Sequence, residues 1–555
     1  MNFRFQVGRY CNILHVPELI KSYQRSELIM KLLRFFLTFS ILFIIFLTIT
    51  KTTTNSPISV GSTLEEDYNW INQVDGNRML TDIQVLASNQ FGGRYPATEG
   101  DELTLNYLNY QLTGLNASPL TNRGDFRQPF NVTPWVMPIA PIDLTIAGET
   151  LVYGKDYVEL AYTGNSSVVT PTEIVFAGYG IFSSTFNDYR DLDVSGKIVL
   201  VCRRTPPGGE VDPYHGYFSV KAYAAYLRGA MCMIVVEPPW SGTDKAVKGT
   251  LTSDGFIPDM GSLSANRTSL EQLGLNISDW INEVDTAYNS TGSYFGSHSR
   301  YTGINATLEV RSAYRANAES ANIIAKFQGT ETGSSERAFI ISAHHDHLGA
   351  SPVGSIFYGA DDDASGVAVV LEVARVLNGL YKNNNFRKTV IIAFWGGEEE
   401  GLIGSRHFTY TEPLFPLQQI DLVIQHDMVG VGPVDGKLRV GEGYHFPAVV
   451  EDIDQVALEY GNIQEVIVSE DASDHLAFLE KNVPAVNFFW DDLENHPYLH
   501  TTQDTADLIT PEILEKVTLT TLGYLIDSQN LLITDSSTMP SDSSTMPSDS
   551  STVTS

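Results

Sequence analysis

The chain has 555 residues, of which 43% are hydrophobic and 18% charged, with 35 Lys and Arg set against 66 Asp and Glu. That length allows two or three domains around a substantial core, and the composition is that of a globular protein. A formal net charge of −31 repels phosphates, which argues against nucleic acid and anionic membrane surfaces as partners. Three cysteines build no disulfide framework. Cys202 and Cys232 lie in apolar runs and read as core thiols.

In chain order, the first feature is a targeting signal. Residues 35–49 form an apolar run broken only by Thr and Ser, with Lys31 and Arg34 before it and Lys51 after it. Fewer than about 18 apolar residues is short for a spanning helix. Read from Met30, the basic residues and the apolar run are the n-region and h-region of a secretory signal peptide. The alternatives are an uncleaved signal anchor with its basic end inside and a buried helix. Residues 1–57 are assigned to this extension and signal. The protein is expected to be secreted, or to meet the membrane only through an uncleaved anchor with its catalytic part outside. Asn-x-Ser/Thr sequons at Asn116, Asn131, Asn165, Asn266, Asn276, Asn289 and Asn305 agree with that route in a glycosylating host.

Residues 62–163 open with helical periodicity at 79–86 and 102–115. Between these stretches lies a glycine-punctuated loop, residues 89–100. Residues 164–305 read as a separate unit. It has β-type runs at 173–177, 197–201 and 233–236 and a helical stretch at 221–229, which makes it α/β or β-rich with a crossover. Its one histidine outside the end of the unit, His215, is solitary, and the unit reads as a lid, spacer or substrate-selecting insert. Residues 306–530 hold the chemistry. Residues 531–555 repeat Asp-Ser-Ser-Thr units with almost nothing apolar to pack, a pattern of disorder.

Residues 339–343 and Thr389–Trp395 are short apolar runs that read as buried strands. In an open α/β sheet, chemistry collects at the carboxyl ends of such strands. Residues two apart share a face of a strand, so His344 and Asp346 point one way and His345 the other. That parity favours His344 as a metal ligand and Asp346 as the carboxylate that fixes its tautomer. His347 reads as a loop histidine bonded to backbone. Asp361, Asp362 and Asp363 precede a helical stretch at 364–380, and three carboxylates exceed what a helix N-terminus needs. One of them could reach two metals, one oxygen to each; the spacing does not choose among the three. Glu398, Glu399 and Glu400 follow the strand that ends at Trp395, and adjacent glutamates can split into a ligand and a free base. A run at 420–425 leads into His426 and Asp427. Ala485–Trp490 is followed by His496 and by His500 to Thr505. This mix of imidazole and carboxylate suits zinc, in the array a two-zinc hydrolase needs.

The ordered motifs AHHDHLG, GADDDASG, EEEGLIGS, HDMVG, SDHLAF and HTTQDT resemble the M28 family of zinc peptidases. FAGYGI at 176–181 and DVSGKIVLVCRR at 193–204 resemble the protease-associated (PA) domain that such aminopeptidases often carry ahead of the catalytic motifs. LASNQFGGRYPATEG at 86–100 is similar to their N-terminal part. The resemblance implies an α/β fold, a mixed central sheet flanked by helices with an inserted PA domain. It implies two zinc ions per chain, each held by one imidazole (His344 or His500), one terminal carboxylate (Glu399 or Asp427) and the bridging Asp362. Glu398 would then be the general base and Asp346 the carboxylate behind His344.

Two residues depart from the family pattern: Asp363 and His426 each stand where Asn is usual. The function expected from the resemblance is a secreted aminopeptidase acting on peptides with a free N-terminus. A carboxypeptidase of the same fold would need a cationic pocket for a C-terminal carboxylate. A non-catalytic receptor-like protein would lose ligands that this chain keeps, and a single-zinc glutaminyl cyclase fits the complete two-metal set less well. Trp395, Phe488, Phe489, Trp490 and Tyr498 lie near the motifs and line either a specificity pocket or the core.

Overall fold

The computed structural model describes residues 68–528, apart from 122, 134, 161–162, 209–210, 249–255, 384–385, 471 and 492–495. The apolar run at 35–49, expected to be a targeting signal, and the tail from 531 lie outside the described residues.

Four parallel strands form the centre of the first sheet. Thr389–Trp395 lies beside Ala338–His344, which pairs with Ile420–His426, which pairs with Ala485–Trp490. Every residue in these strands is buried, as expected where parallel strands are covered on both faces. Alternation divides them. Phe339, Ile341, Ala343, Val390 and Ile392 face a core shared with Gly76–Leu86, Gly366–Asn383 and Pro511–Asp527. Ile340, Ile391 and Trp395 face the opposite layer with Phe408 and Phe478. Antiparallel strands extend the sheet on both sides, Ala318–Phe327 beside Thr389–Trp395 and Leu438–Gly441 beside Ala485–Trp490. Helix Gly76–Leu86 starts at Asp75, whose carboxylate accepts from the backbone N–H of Asn77 at 3.0 Å and of Arg78 at 3.2 Å, satisfying two orphan donors.

Among the described residues one helix, Ala360–Tyr381, is long and apolar enough to cross a membrane; here it is a core helix under the first sheet. Trp395, Phe488 and Trp490 are fully buried and Phe489 nearly so, so these four are core. Tyr498 is half-buried and lines a hollow with Met428, His496 and Leu508.

The second sheet has eight strands. Its centre is parallel, running Ser166–Phe176, Ile198–Cys202, Cys232–Val236 and Gly261–Ala265. Helix Phe218–Tyr226 supplies one crossover. The long strands Trp135–Ile146 and Arg300–Arg315 pair with each other in this sheet. They lead directly from Arg127–Val132 and into Ala318–Phe327 of the first sheet. Cys202 and Cys232 are free and buried, and burial pushes both thiols up.

Candidate metal centre

The chain passes from one side of Ala338–His344 to the other between Thr389–Trp395 and Ile420–His426. That creates the switch-point crevice at the strand ends where open α/β sheets hold ligands. His344 ends its strand, Glu398 and Glu399 follow Trp395, Asp427 follows His426, and His500 lies on the segment after Trp490.

The acidic triplet is not the first turn of an ordinary helix. It sits in a π-helical turn, Ala360–Ser365, whose backbone is non-helical at Asp362 and Asp363. Such turns recur at functional sites. Asp361 Oδ1 accepts from the Gly430 N–H at 2.9 Å, and its Oδ2 lies 2.6 Å from His496 Nδ1. Asp363 Oδ2 accepts from the His344 N–H at 3.1 Å and Oδ1 from the Gly366 N–H at 2.9 Å. Asp362 is the member that turns both oxygens to imidazoles. Its Oδ1 lies 3.2 Å from His344 Nε2 and its Oδ2 3.1 Å from His500 Nε2. Of the three aspartates, Asp362 is the one placed between the two imidazoles.

Two ligand clusters therefore share this carboxylate. In the first, His344 Nε2 also lies 3.7 Å from Asp427 Oδ1. In the second, His500 Nε2 lies 3.2 Å from Glu399 Oε2. His347 joins the second cluster, with Nδ1 2.8 Å from Glu399 Oε1 and 3.8 Å from Asp362 Oδ2. The expectation of a loop histidine bonded to backbone is corrected: neither ring nitrogen has a hydrogen-bond partner among the described residues. Gly359, at φ 58°, makes room for that ring, because a Cβ there would come within 2.5 Å of His347 Cγ. His345 faces away, its Nε2 3.0 Å from the Ala321 carbonyl, as strand parity requires.

The donors fit a cation. His344 Nδ1, both nitrogens of His347 and Glu399 Oε1 are buried without hydrogen-bond partners, and buried polar atoms left this way call for an ion or water. Within each of the groups His344–Asp362–Asp427 and His347–Asp362–Glu399, one donor atom per residue lies within 4.8 Å of the others. Burial discourages charge on His500, but Glu399 and Asp362 outweigh it and hold its pKa up at about 10. For His344 burial is outweighed in the same way, by Asp427 foremost, and its pKa rises well above the usual range. Burial would raise Glu399, yet His500 brings it down to about 2. Carboxylates dense enough to protonate neighbouring imidazoles make a field that a divalent cation satisfies.

Glu398 is half-buried, and its carboxylate makes no hydrogen bond or ion pair among the described residues. Burial pushes its pKa well up; His344 opposes this, while Glu399, Asp474 and Asp427 add to it. The backbone N–H groups of Glu398 and Glu399 donate to Asp346 Oδ1 at 3.1 Å and Oδ2 at 3.3 Å. Asp346 also lies 3.8 Å from His344 Nδ1, too far for a direct hydrogen bond. It thus holds the glutamate loop as well as standing behind the imidazole. Glu400 is buried outside both clusters.

Two supporting residues escaped sequence reasoning. Asp504 accepts from the N–H of Asp361 at 2.9 Å and of Asp362 at 3.2 Å, fixing the π-turn; its place in HTTQDT was the available signal. Arg94 is fully buried, and its guanidinium donates to four backbone carbonyls. They belong to His345 at 2.9 Å, Leu86 at 3.0 Å, Tyr358 at 2.7 Å and Gly359 at 2.8 Å. It ties the His344 loop to the loop that enters the acidic turn. A single Arg in a glycine-rich loop carried no signal of this.

His426, one of the two departures, points away from both clusters. Its Nδ1 lies 3.2 Å from the Ser342 carbonyl and its Nε2 2.8 Å from Thr521 Oγ1 on helix Pro511–Asp527. Burial lowers its pKa to about 4. His426→Asn is expected to keep bound metal and turnover within about twofold. The lost hydrogen bond should cost about 1–2 kcal/mol of stability, read from urea denaturation beside metal analysis.

Residues 322–525 match the profile of peptidase family M28. The aminopeptidase YwaD of Bacillus subtilis (strain 168) is 26% identical over 379 residues, which cover 65% of this chain and 69% of that protein. The probable lipoprotein aminopeptidase LpqL of Mycobacterium tuberculosis is 31% identical over 44% of this chain; the match spans 38% of that relative's length. An aminopeptidase structure from Aneurinibacillus sp. strain AM-1 superposes with a TM-score of 0.58 at 23% identity, covering 83% of this chain and 96% of that one. The structural likeness reaches across both sheets and gives the fold. The profile match falls on the stretch that carries both candidate ligand clusters, and residues 322–525 are a peptidase family M28 region.

Proposed function

We propose that this zinc-dependent hydrolase is a secreted di-zinc aminopeptidase that removes N-terminal residues from peptides. The observation that carries the reading is the Asp362 carboxylate, whose oxygens lie 3.2 Å and 3.1 Å from imidazoles of separate clusters. His344 and Asp427 would hold one zinc, Glu399 and His500 the other, and Asp362 both. Zinc held there supplies Lewis-acid polarisation of the scissile carbonyl and a water acidic enough to attack near neutral pH. Glu398, unpartnered and with a raised pKa, takes the proton of the attacking water and returns it to the leaving amine. Asp346 positions Glu398 and Glu399 through their backbone N–H groups. Asp427, Glu398 and Glu399 together draw in the cationic N-terminus of a peptide.

The exopeptidase reading is supported by similar proteins named as aminopeptidases. Residues 164–305 are read as a PA insert between the two parts of the peptidase domain, 62–163 and 306–530. Export rests on residues 35–49 and on the sequons. Asn116, Asn131, Asn165, Asn276, Asn289 and Asn305 are exposed, whereas Asn266 is half-buried and caps helix Arg267–Glu271 by accepting from the Ser269 N–H. The test uses protein from residue 58 onward, assayed on leucine p-nitroanilide beside N-acetylated peptides with free C-termini. Hydrolysis of the anilide should be lost with a chelator and restored by zinc. Cleavage of the blocked peptides alone would make the enzyme a carboxypeptidase.

A further inference from the structure

A short segment on the second sheet's side of the molecule reaches the loops that flank the candidate metal centre. Asp244 accepts from the N–H of Arg267 at 2.7 Å and of Thr268 at 3.0 Å, and the Val247 N–H donates to Ser264 Oγ at 3.1 Å. These bonds fix residues 244–248 to the second sheet and the helix that follows it. On its other side the segment packs onto the loop that carries the histidines. Ala246 sits against the cluster of Val158, Leu348 and Phe357. Lys248, 2% exposed, donates to the Leu348 carbonyl, lies 3.6 Å from Glu159 Oε1 and stands 4.7 Å over the Phe357 ring. The backbone on either side of Lys245 is therefore held in place.

Lys245 differs from Lys248 in one respect. It is half-buried, and its ammonium forms no ion pair or hydrogen bond with any described residue. Its ammonium stands over the ring of Tyr498, 5.8 Å from Nζ to centroid, a weak cation–π interaction. Tyr498 stands two residues before His500 and shares a hollow with Met428, the neighbour of Asp427. Burial lowers the pKa of Lys245. In a chain with 66 carboxylates and 35 cationic side chains, a lysine held partly out of water near the His500 segment, with no ion-pair partner among the described residues, is out of the ordinary. A ligand carboxylate would supply the missing partner through a charge-assisted hydrogen bond.

The sign of the charge decides which end of the substrate it serves. A substrate's N-terminal ammonium is drawn to Asp427, Glu398 and Glu399 and repelled by Lys245. Resting on the aminopeptidase reading, we propose that Lys245 binds a carboxylate on the leaving side of the scissile bond. That carboxylate is either the free C-terminus of a very short peptide or an acidic side chain just beyond the cleaved bond.

The test compares kcat and KM of the zinc-loaded enzyme on two substrate pairs, Leu-Leu against Leu-Leu-amide and Leu-Asp-amide against Leu-Asn-amide. Lys245→Met and Lys245→Arg are measured alongside, with leucine p-nitroanilide as the reporter of an assembled site. The wild type should favour the carboxylate-bearing member of one pair by about tenfold in kcat/KM, mainly through KM. Lys245→Met should bring that ratio close to one, and Lys245→Arg should keep most of it. Preference within the first pair assigns a C-terminal carboxylate, and within the second an acidic side chain. A wild type indifferent to both pairs, or a preference that survives in Lys245→Met, overturns the proposal. Failure of the wild type on the anilide and all four peptides overturns the aminopeptidase reading, and this proposal with it.

Discussion

Glu398→Gln is expected to lower kcat by about a thousandfold, the scale of a lost general base, with bound zinc unchanged. The reason is geometric. Glu399, not Glu398, stands among the donor groups, 3.2 Å from His500 through one oxygen and 2.8 Å from His347 through the other. Glu398 has a carboxylate without a partner and backbone held by Asp346. The amide keeps the shape and removes the proton acceptor. KM should move little, since the interaction lost is made as the water attacks. Zinc measured by mass spectrometry beside stopped-time kinetics checks both halves. Residual turnover within tenfold of wild type would take the base role from Glu398, and loss of zinc would make it a ligand.

Asp362→Ala is expected to empty both zinc sites together and to reduce turnover at least a thousandfold. His344→Ala removes a donor from one cluster, Asp362→Ala from both, because its oxygens face His344 and His500 at 3.2 Å and 3.1 Å. A ligand that binds only the native state raises Tm with its concentration. The zinc-dependent rise in Tm of the wild type should therefore vanish in Asp362→Ala and shrink in His344→Ala. An Asp362→Ala protein that still holds one zinc tightly would show that the clusters do not depend on a shared carboxylate.

The central strands were legible because a strand buried on both faces is a continuous apolar run; Thr389–Trp395 and Ala485–Trp490 coincide with the runs read from sequence. Period two alone set His344 and His345 on opposite sides, as the structure has them. The choice of Asp362 did not, because a π-turn has no spacing signature and each of the three aspartates has an anchor on a different segment: Gly430, His500 or Gly366. His347 was misread for a related reason, since the partner that defines it, Glu399, comes from the next strand. Trp135–Ile146 and Arg300–Arg315 went unread because partly exposed, proline-bearing or polar sequences lack the apolar run. Asp363, the other departure from the family pattern, is the acceptor for backbone N–H groups of His344 and Gly366.

Arg94 sets the limits of the catalytic unit. A fragment cut at Asn322 would contain every proposed ligand, yet the carbonyls of His345, Tyr358 and Gly359 would lose the guanidinium that reaches them from a segment made much earlier in the chain. The portable cassette is therefore larger than the motif-bearing stretch, and it is discontinuous. Recombination that exchanged residues 322–525 alone would transplant the chemistry without its fastener. A protease nick that freed the opening helices would disarm the centre from a distance, with no ligand touched.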